Sequence, residues 1–224
     1  MRILKCLLLI FCYNIVILFY ACDNNYECIR GSGNLTNYPI EVTQFDKVAL
    51  SGDINLQIKQ GPDQKVTIAT EPEIFAILEY GVKGTTFEVG YEKKVNCIQT
   101  AHGIWVNIEV PDINEIVISG RSEIVSIDDL VLDELSIIIS GESKINITGQ
   151  VDLQSIDVSG VVNVDNFGFV SDEVEIIVSG SGDIEIYAQQ LLNIIVSGAA
   201  TIRYKGNPQI SQQVSGMLDL INVN

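Results

Sequence analysis

The sequence is poor in the residues that most often do chemistry. Its 224 positions hold one histidine, His102, one tryptophan, Trp105, and two methionines. A zinc site draws on several histidines or a cysteine cluster. A Ser-His-Asp triad would have to be built on His102, and no G-x-S-x-G elbow carries its serine. Both kinds of catalysis are set aside on that ground, and no metal or other cofactor is expected. Basic residues are scarce as well: 13 Lys and Arg stand against 29 Asp and Glu, for a formal net charge of −16. Such a surface repels nucleic acid and anionic lipid headgroups, which excludes a nucleic-acid partner.

Cysteine is sparse and unevenly placed. Cys6, Cys12 and Cys22 fall in the N-terminal segment, which leaves Cys28 and Cys97 for the folded part. In an exported protein these two either form a disulfide, which would tie the N-terminus to the first folded region, or stay free. Export is what the N-terminus predicts. Arg2 and Lys5 precede LLLIFCYNIVILFYA, which ends at Ala21. The run is short for a membrane span and has the flanks of a signal peptide over residues 1–21. Cys22 follows in the context FYAC, which resembles a loose bacterial lipobox, although Phe19 and Tyr20 depart from its strict form. Lipidation at Cys22 is the expectation, with an ordinary cleaved signal peptide as the alternative. Residues 22–39 then read as a polar tether, and attachment to the membrane would come from the acyl chains alone.

The rest of the chain is rich in alternation and in one recurring pair. From residue 40, Phe45, Val48 and Leu50 lead into Ser51-Gly52, and Leu56 and Ile58 alternate beyond it at the period of a strand. Residues 71–82 read as a short helix ended by Gly81, an edge loop or a buried strand. Alternation returns at Phe87, Val89 and Tyr91, and again from Ile104 to Val110. Beyond Pro111 the pair recurs every 18–21 residues, at Ser119-Gly120, Ser140-Gly141, Ser159-Gly160, Ser179-Gly180, Ser197-Gly198 and Ser215-Gly216. Ile or Val precedes each serine, and a second apolar residue stands two positions earlier until Gln212 breaks the series. Four residues after each glycine stand Ile124, Ile145, Val164, Ile184, Ile202 and Leu220.

One template repeated at this period predicts an all-β solenoid whose coils of roughly 18–21 residues stack in register, each burying the apolar edge of the last. The Ser-Gly pairs are its corners, where glycine supplies an unusual backbone conformation and a close approach between coils. A β-sandwich is the alternative for evenly spaced short strands. The expected division is an irregular first β region over residues 40–111 and a regular solenoid over residues 112–224.

Carboxylates are the remaining chemical candidates. Asp128 with Asp129, and Asp172 with Glu173, adjoin. Asp183 and Glu185 share an outward strand face with Tyr187. With 29 acids in the chain such pairs are expected on a solvated face, so they carry little weight as glycosidase carboxylates. The glycine-rich Ser179–Asp183 stretch lacks the lysine of a phosphate loop. Asp183, Glu185, Tyr187 and Trp105 are the residues expected to face a ligand.

The segment FDKVALSGDINLQIKQGPDQKVTIATEPEIFAILEYGVKGTTFEV, followed by the VISG, IISG, DVSG, IVSGSGDI and IVSG units, resembles the head GIN domain family. That family is described as auto-transporter adhesins and is common in Bacteroidota lipoproteins. The resemblance implies a right-handed parallel β-helix, an outer-membrane-anchored lipoprotein exposed to the periplasm or the cell surface, and adhesion to an unidentified glycan or protein. It implies no catalytic residues. The readings carried forward are a binding module and, behind it, a periplasmic scaffold for another envelope protein or a polysaccharide-active enzyme.

Overall fold

A computed structural model describes residues 28–92, 95 and 97–224. The expected signal peptide and lipidated Cys22 lie outside the described residues. The described residues are 68% strand and 2% helix, and the alternation that predicts a solenoid builds one. The first Ser-Gly unit forms β3 (Lys47–Leu50) and β4 (Asn55–Gln60). The next, β10 (Glu115–Ile118) and β11 (Arg121–Ser126), stacks on it in parallel, with Val48 against Ile116, Leu50 against Ile118 and Leu56 against Ile124. These are the positions that the template aligns. β12 (Leu130–Ile139), β13 (Glu142–Asn146), β14 (Gly149–Val158), β15 (Val161–Val178), β16 (Ser181–Val196), β17 (Ala199–Lys205), β18 (Gln209–Val214) and β19 (Met217–Asn222) continue the stack. Ile137, Ile156, Ile176 and Ile194 run as one buried column down its middle. Rigid β-branched side chains suit such a ladder because each packs on its own kind one strand away.

In the regular part the strands stop at each Ser-Gly corner and again between β11 and β12, β13 and β14, and β17 and β18, whereas β15 and β16 run through that second bend and span 18 and 16 residues. A further bend, beside Asp133, Asp152 and Asp172, is taken within continuous strands. Between β15 and β16 the register shifts at both bends, at Asn166/Val170 and at Ser171/Glu173. Two broad faces result. The first carries β3, β10, β12, β14 and the C-terminal halves of β15 and β16. The second carries β4, β11, β13, the N-terminal halves of β15 and β16, and β17.

The irregular first region is itself half solenoid. β7 (Thr86–Tyr91) pairs in parallel with β3, and β9 (Trp105–Val110) pairs in parallel with β4. Together they make a layer on the far side of the first Ser-Gly unit. The chain thus enters in the second layer, doubles back to build the terminal one, and crosses to resume at β10. Gln60 holds that crossing: its amide donates to the carbonyls of Pro111 and Val131 and accepts from Val131 N–H. The terminal layer escapes the template because its corner is Gly90-Tyr91, with Tyr91 lying over Gly52. A β-carbon at Gly52 would fall 2.2 Å from that ring.

An antiparallel lid closes this end. β5 (Lys65–Thr70) lies antiparallel to β9, and β6 (Leu78–Lys83) lies antiparallel to β7. The ambiguous segment between them resolves into one helical turn, α1 (Pro72–Phe75), followed by strand, so Gly81 sits within β6 and ends no helix.

The expected tether over residues 22–39 is corrected by the structure from Cys28 onward. β1 (Ile29–Arg30) pairs with β8 (Ile98–Gln99), and β2 (Thr36–Ile40) lies antiparallel to β5. Tyr38 stacks on Phe75 with ring centroids 3.7 Å apart. An edge strand has one solvated side and needs little apolar character, so TNYPI reads as loop in the sequence.

Candidate binding surfaces

The corners are structural, and their geometry departs from expectation in one respect. Of the seven corner glycines only Gly52 has a positive φ, at 111°. The others are required by contact. A β-carbon at Gly141 would lie 1.8 Å from the Gly120 carbonyl oxygen, and one at Gly160 would lie 1.8 Å from that of Gly141. Each corner sits directly on the one before. Ser119, Ser140 and Ser159 donate through Oγ to the carbonyls of Leu50, Ile118 and Ile139. Farther along, Ser179 N–H and Gly180 N–H both donate to Val158. These bonds join coil to coil, which leaves the serines serving the stack.

Cys28 and Cys97 are bridged, with their α-carbons 4.6 Å apart. Beside the bridge Ser32 N–H of the N-terminal segment donates to Glu73 at 3.1 Å, and a buried carboxylate that sequence patterning does not reveal bonds the lid to the loop before β9. Glu71 accepts from Thr100 Oγ1 at 2.5 Å and Ala101 N–H at 2.8 Å. Burial pushes its carboxyl up, but these donors, with the nearby His102, hold it below the ordinary value of 4.5. His102 is exposed and donates from Nε2 to the Gly33 carbonyl at 3.0 Å, a structural tie between loop and N-terminal segment.

The second face carries the expected ligand-facing residues. Successive strands place Trp105, Asn55, Glu123, Lys144, Asn163, Asp183, Thr201 and Asp219 in one outward column, one residue per layer. The strands are about 4.8 Å apart, so hydrogen-bonding groups recur at that interval, with the indole at one end. A shallow groove of about 710 Å³ follows the column from Asn55 to Thr201. Asp183 and Glu185 point outward as expected, and Tyr187 shares their face. Arg203 bridges the two acids, with Nη1 2.5 Å from Asp183 and 3.7 Å from Glu185. Arg121 does the same for Asp53 and Glu142. The groove is thus nearly charge-balanced on an acidic protein, and two of its carboxylates, Glu142 and Asp183, are engaged by guanidinium groups. Among the described residues no group of three or more His, Cys, Asp or Glu side chains is placed to hold a metal ion.

The first face differs. Its middle outward column reads Ala49, Val117, Ile138, Asp157, Ile177 and Ile195, an aliphatic stripe interrupted once. At the lid end it runs into a depression of about 580 Å³ walled by Tyr80 and Tyr91. Packing in that wall pushes the Tyr91 phenol up to about 12 through burial. The sequence showed alternation on this face but not that its outward positions would also be apolar, because continuous runs such as SIIIS leave the facing of each side chain undecided.

Comparison with known proteins follows the same lines. A structure described as a putative adhesin from Bacteroides fragilis superposes with a TM-score of 0.71 at 22% identity, over 87% of this chain and 100% of that one. A putative adhesin from Parabacteroides merdae gives 0.53 at 19% identity, over 88% and 100%. At these identities the likeness establishes the shared fold. No functionally curated protein matches the chain. The family profile described as "putative auto-transporter adhesin, head GIN domain" matches residues 44–208. That span runs from the entry into the first Ser-Gly unit to the start of the last coil, and the chain belongs to the head GIN domain family.

Proposed function

We propose that the protein is a cell-envelope lipoprotein that acts as a non-catalytic adhesin, holding an extended glycan in the groove of its second face. The observation that carries this reading is the column from Asn55 to Thr201. A polymer lying across the strands meets a fresh donor or acceptor at every layer, and amide, ammonium, carboxylate and hydroxyl groups together match a hydroxyl-rich chain. Near balance of charge in the groove favours a neutral or zwitterionic polymer over a cation. Trp105, at the column's end, offers an apolar ring of the kind that packs on a sugar face. Glu142 and Asp183 are held by Arg121 and Arg203, an arrangement that suits recognition better than proton transfer.

The test is a glycan array, followed by calorimetry, with the soluble mature chain carrying Cys22→Ser. Binding should weaken about tenfold, or roughly 1.4 kcal/mol, in Asn163→Ala and Lys144→Ala. Binding that is indifferent to both substitutions would sink the groove. The aliphatic stripe of the first face favours a second reading, a scaffold for another envelope protein. Failure to bind any glycan, combined with a weakened envelope on deletion of the gene, would decide for it.

A further inference from the structure

The two ends of the solenoid are finished differently. At the β7–β9 end, β5, β6 and α1 lie over the terminal layer, the N-terminal segment is held to them by the β2–β5 pairing and by Ser32 N–H donating to Glu73, and the Cys28–Cys97 bridge ties it to the residue before β8. At the other end, β18 pairs only with β16, and β19 pairs only with β17, among the described residues. The outer edge of both strands therefore presents unpaired backbone N–H and C=O groups. Every residue of β18 is exposed, and Met217 at the start of β19 is 72% exposed. Ile210, Val214, Leu218 and Leu220 continue the columns of Leu192, Val196, Ala200 and Ile202, and among the described residues no layer lies above them.

Natural sheet edges are usually protected by lysine, proline, bulges or inward charges. This edge has none within its strands. Residues 207–224 contain one charged side chain, Asp219, in a protein of net charge −16. The polar residues that stand there are amides and hydroxyls, Gln209, Ser211, Gln212, Gln213 and Asn222. Gln212 occupies the place that Ile194 holds in the layer below.

We infer that this end is an interface with a second copy of the chain, the two solenoids stacking end to end through β18 and β19. The chemistry selects a second copy over other partners. Two identical surfaces that meet must be complementary to themselves, and an amide, which both donates and accepts, satisfies this where a carboxylate or an ammonium does not. This end, with Asp219 as its one charged side chain, is also where two bodies of net charge −16 can meet with least repulsion, since their acidic faces stay apart. Across a two-fold axis each edge strand pairs antiparallel with its own copy, and the exposed ends of both cores are buried together. Such an interface is isologous and closes on itself. The lid blocks the opposite end, so growth stops at two.

Analytical ultracentrifugation of the mature chain with Cys22→Ser, which removes the one thiol able to cross-link copies, tests this. The chain should sediment as a reversible dimer that added salt strengthens by screening the acidic bodies. Gln213→Lys combined with Met217→Lys places like charges across the two-fold at exposed positions and should give a monomer with unchanged circular dichroism. Amides of residues 209–222 should be protected from hydrogen exchange in the parent and lose that protection in the variant. A parent that stays monomeric into the millimolar range overturns the inference. So does a variant that dimerises as tightly as the parent, or association that leaves exchange at residues 209–222 unchanged.

Discussion

A single carbonyl oxygen fixes the residue that can stand at six of the seven corners. At Gly160 the space a methyl group would need is filled by the backbone of the coil beneath, and backbone in the middle of a ladder has nowhere to move. Gly160→Ala should therefore cost about 3 kcal/mol or more, as severe overpacking does, measured by urea unfolding. Gly81→Ala is the contrasting case. Nothing lies within 4 Å of a β-carbon there and its φ is not positive. That variant should be neutral or stabilised by about 0.5 kcal/mol, through the lower entropy of the unfolded chain. The sequence made the recurrence of glycine plain and offered two causes, an unusual backbone conformation and a close approach between coils. Close approach is the cause at every corner, Gly52 alone adding a positive φ, and which atoms meet becomes visible only once the coils are stacked.

The lid depends on two ties. Reduction of the Cys28–Cys97 bridge releases a link between residues 69 apart. It should destabilise the lid by about 2–4 kcal/mol, less if β1 stays docked by its other bonds. Hydrogen exchange should speed up at β1 and β8 while the columns through Ile156 and Ile176 keep their protection. Glu71 supplies the second tie and gives it a pH dependence. Its carboxyl titrates lower in the folded state than in the unfolded chain, so its contribution is full above about pH 4.5 and is lost as the pH falls through the lower, folded value. Glu71→Gln should flatten that acid limb in melting temperatures recorded against pH, and should lower stability near neutrality because two donors lose an ionised acceptor. Neither tie could be placed from sequence. The cysteines could be named as a pair or as two free thiols, and the glutamate stood in a segment readable as helix, loop or strand.

On the scale of the whole molecule, stability in a solenoid is a sum over layers and their neighbours. A layer covered on one side only is the weakest. In the monomeric Gln213→Lys, Met217→Lys variant, exchange protection should be least at β18 and β19 and greatest in the middle layers, with a gradient between them. Uniform protection along the stack would mean that the layers unfold as one unit. The same one-dimensional construction makes the second face a surface with a repeat, and the groove from Asn55 to Thr201 is a property of six stacked strands that no single coil contains.

The sequence by itself determined the coil: its length, its inward columns and the place of its Ser-Gly corners. Those depend on local periodicity, and each unit states them again. Tertiary structure decided what lies between coils and at the ends. It placed Trp105 in one column with Asp183, although 78 positions separate them in the sequence, by returning the chain to build a layer out of order. It also put a lid over one end and left β18 and β19 open at the other. Alternation reports which side of a strand is apolar; it carries no record of which strand lies next to it.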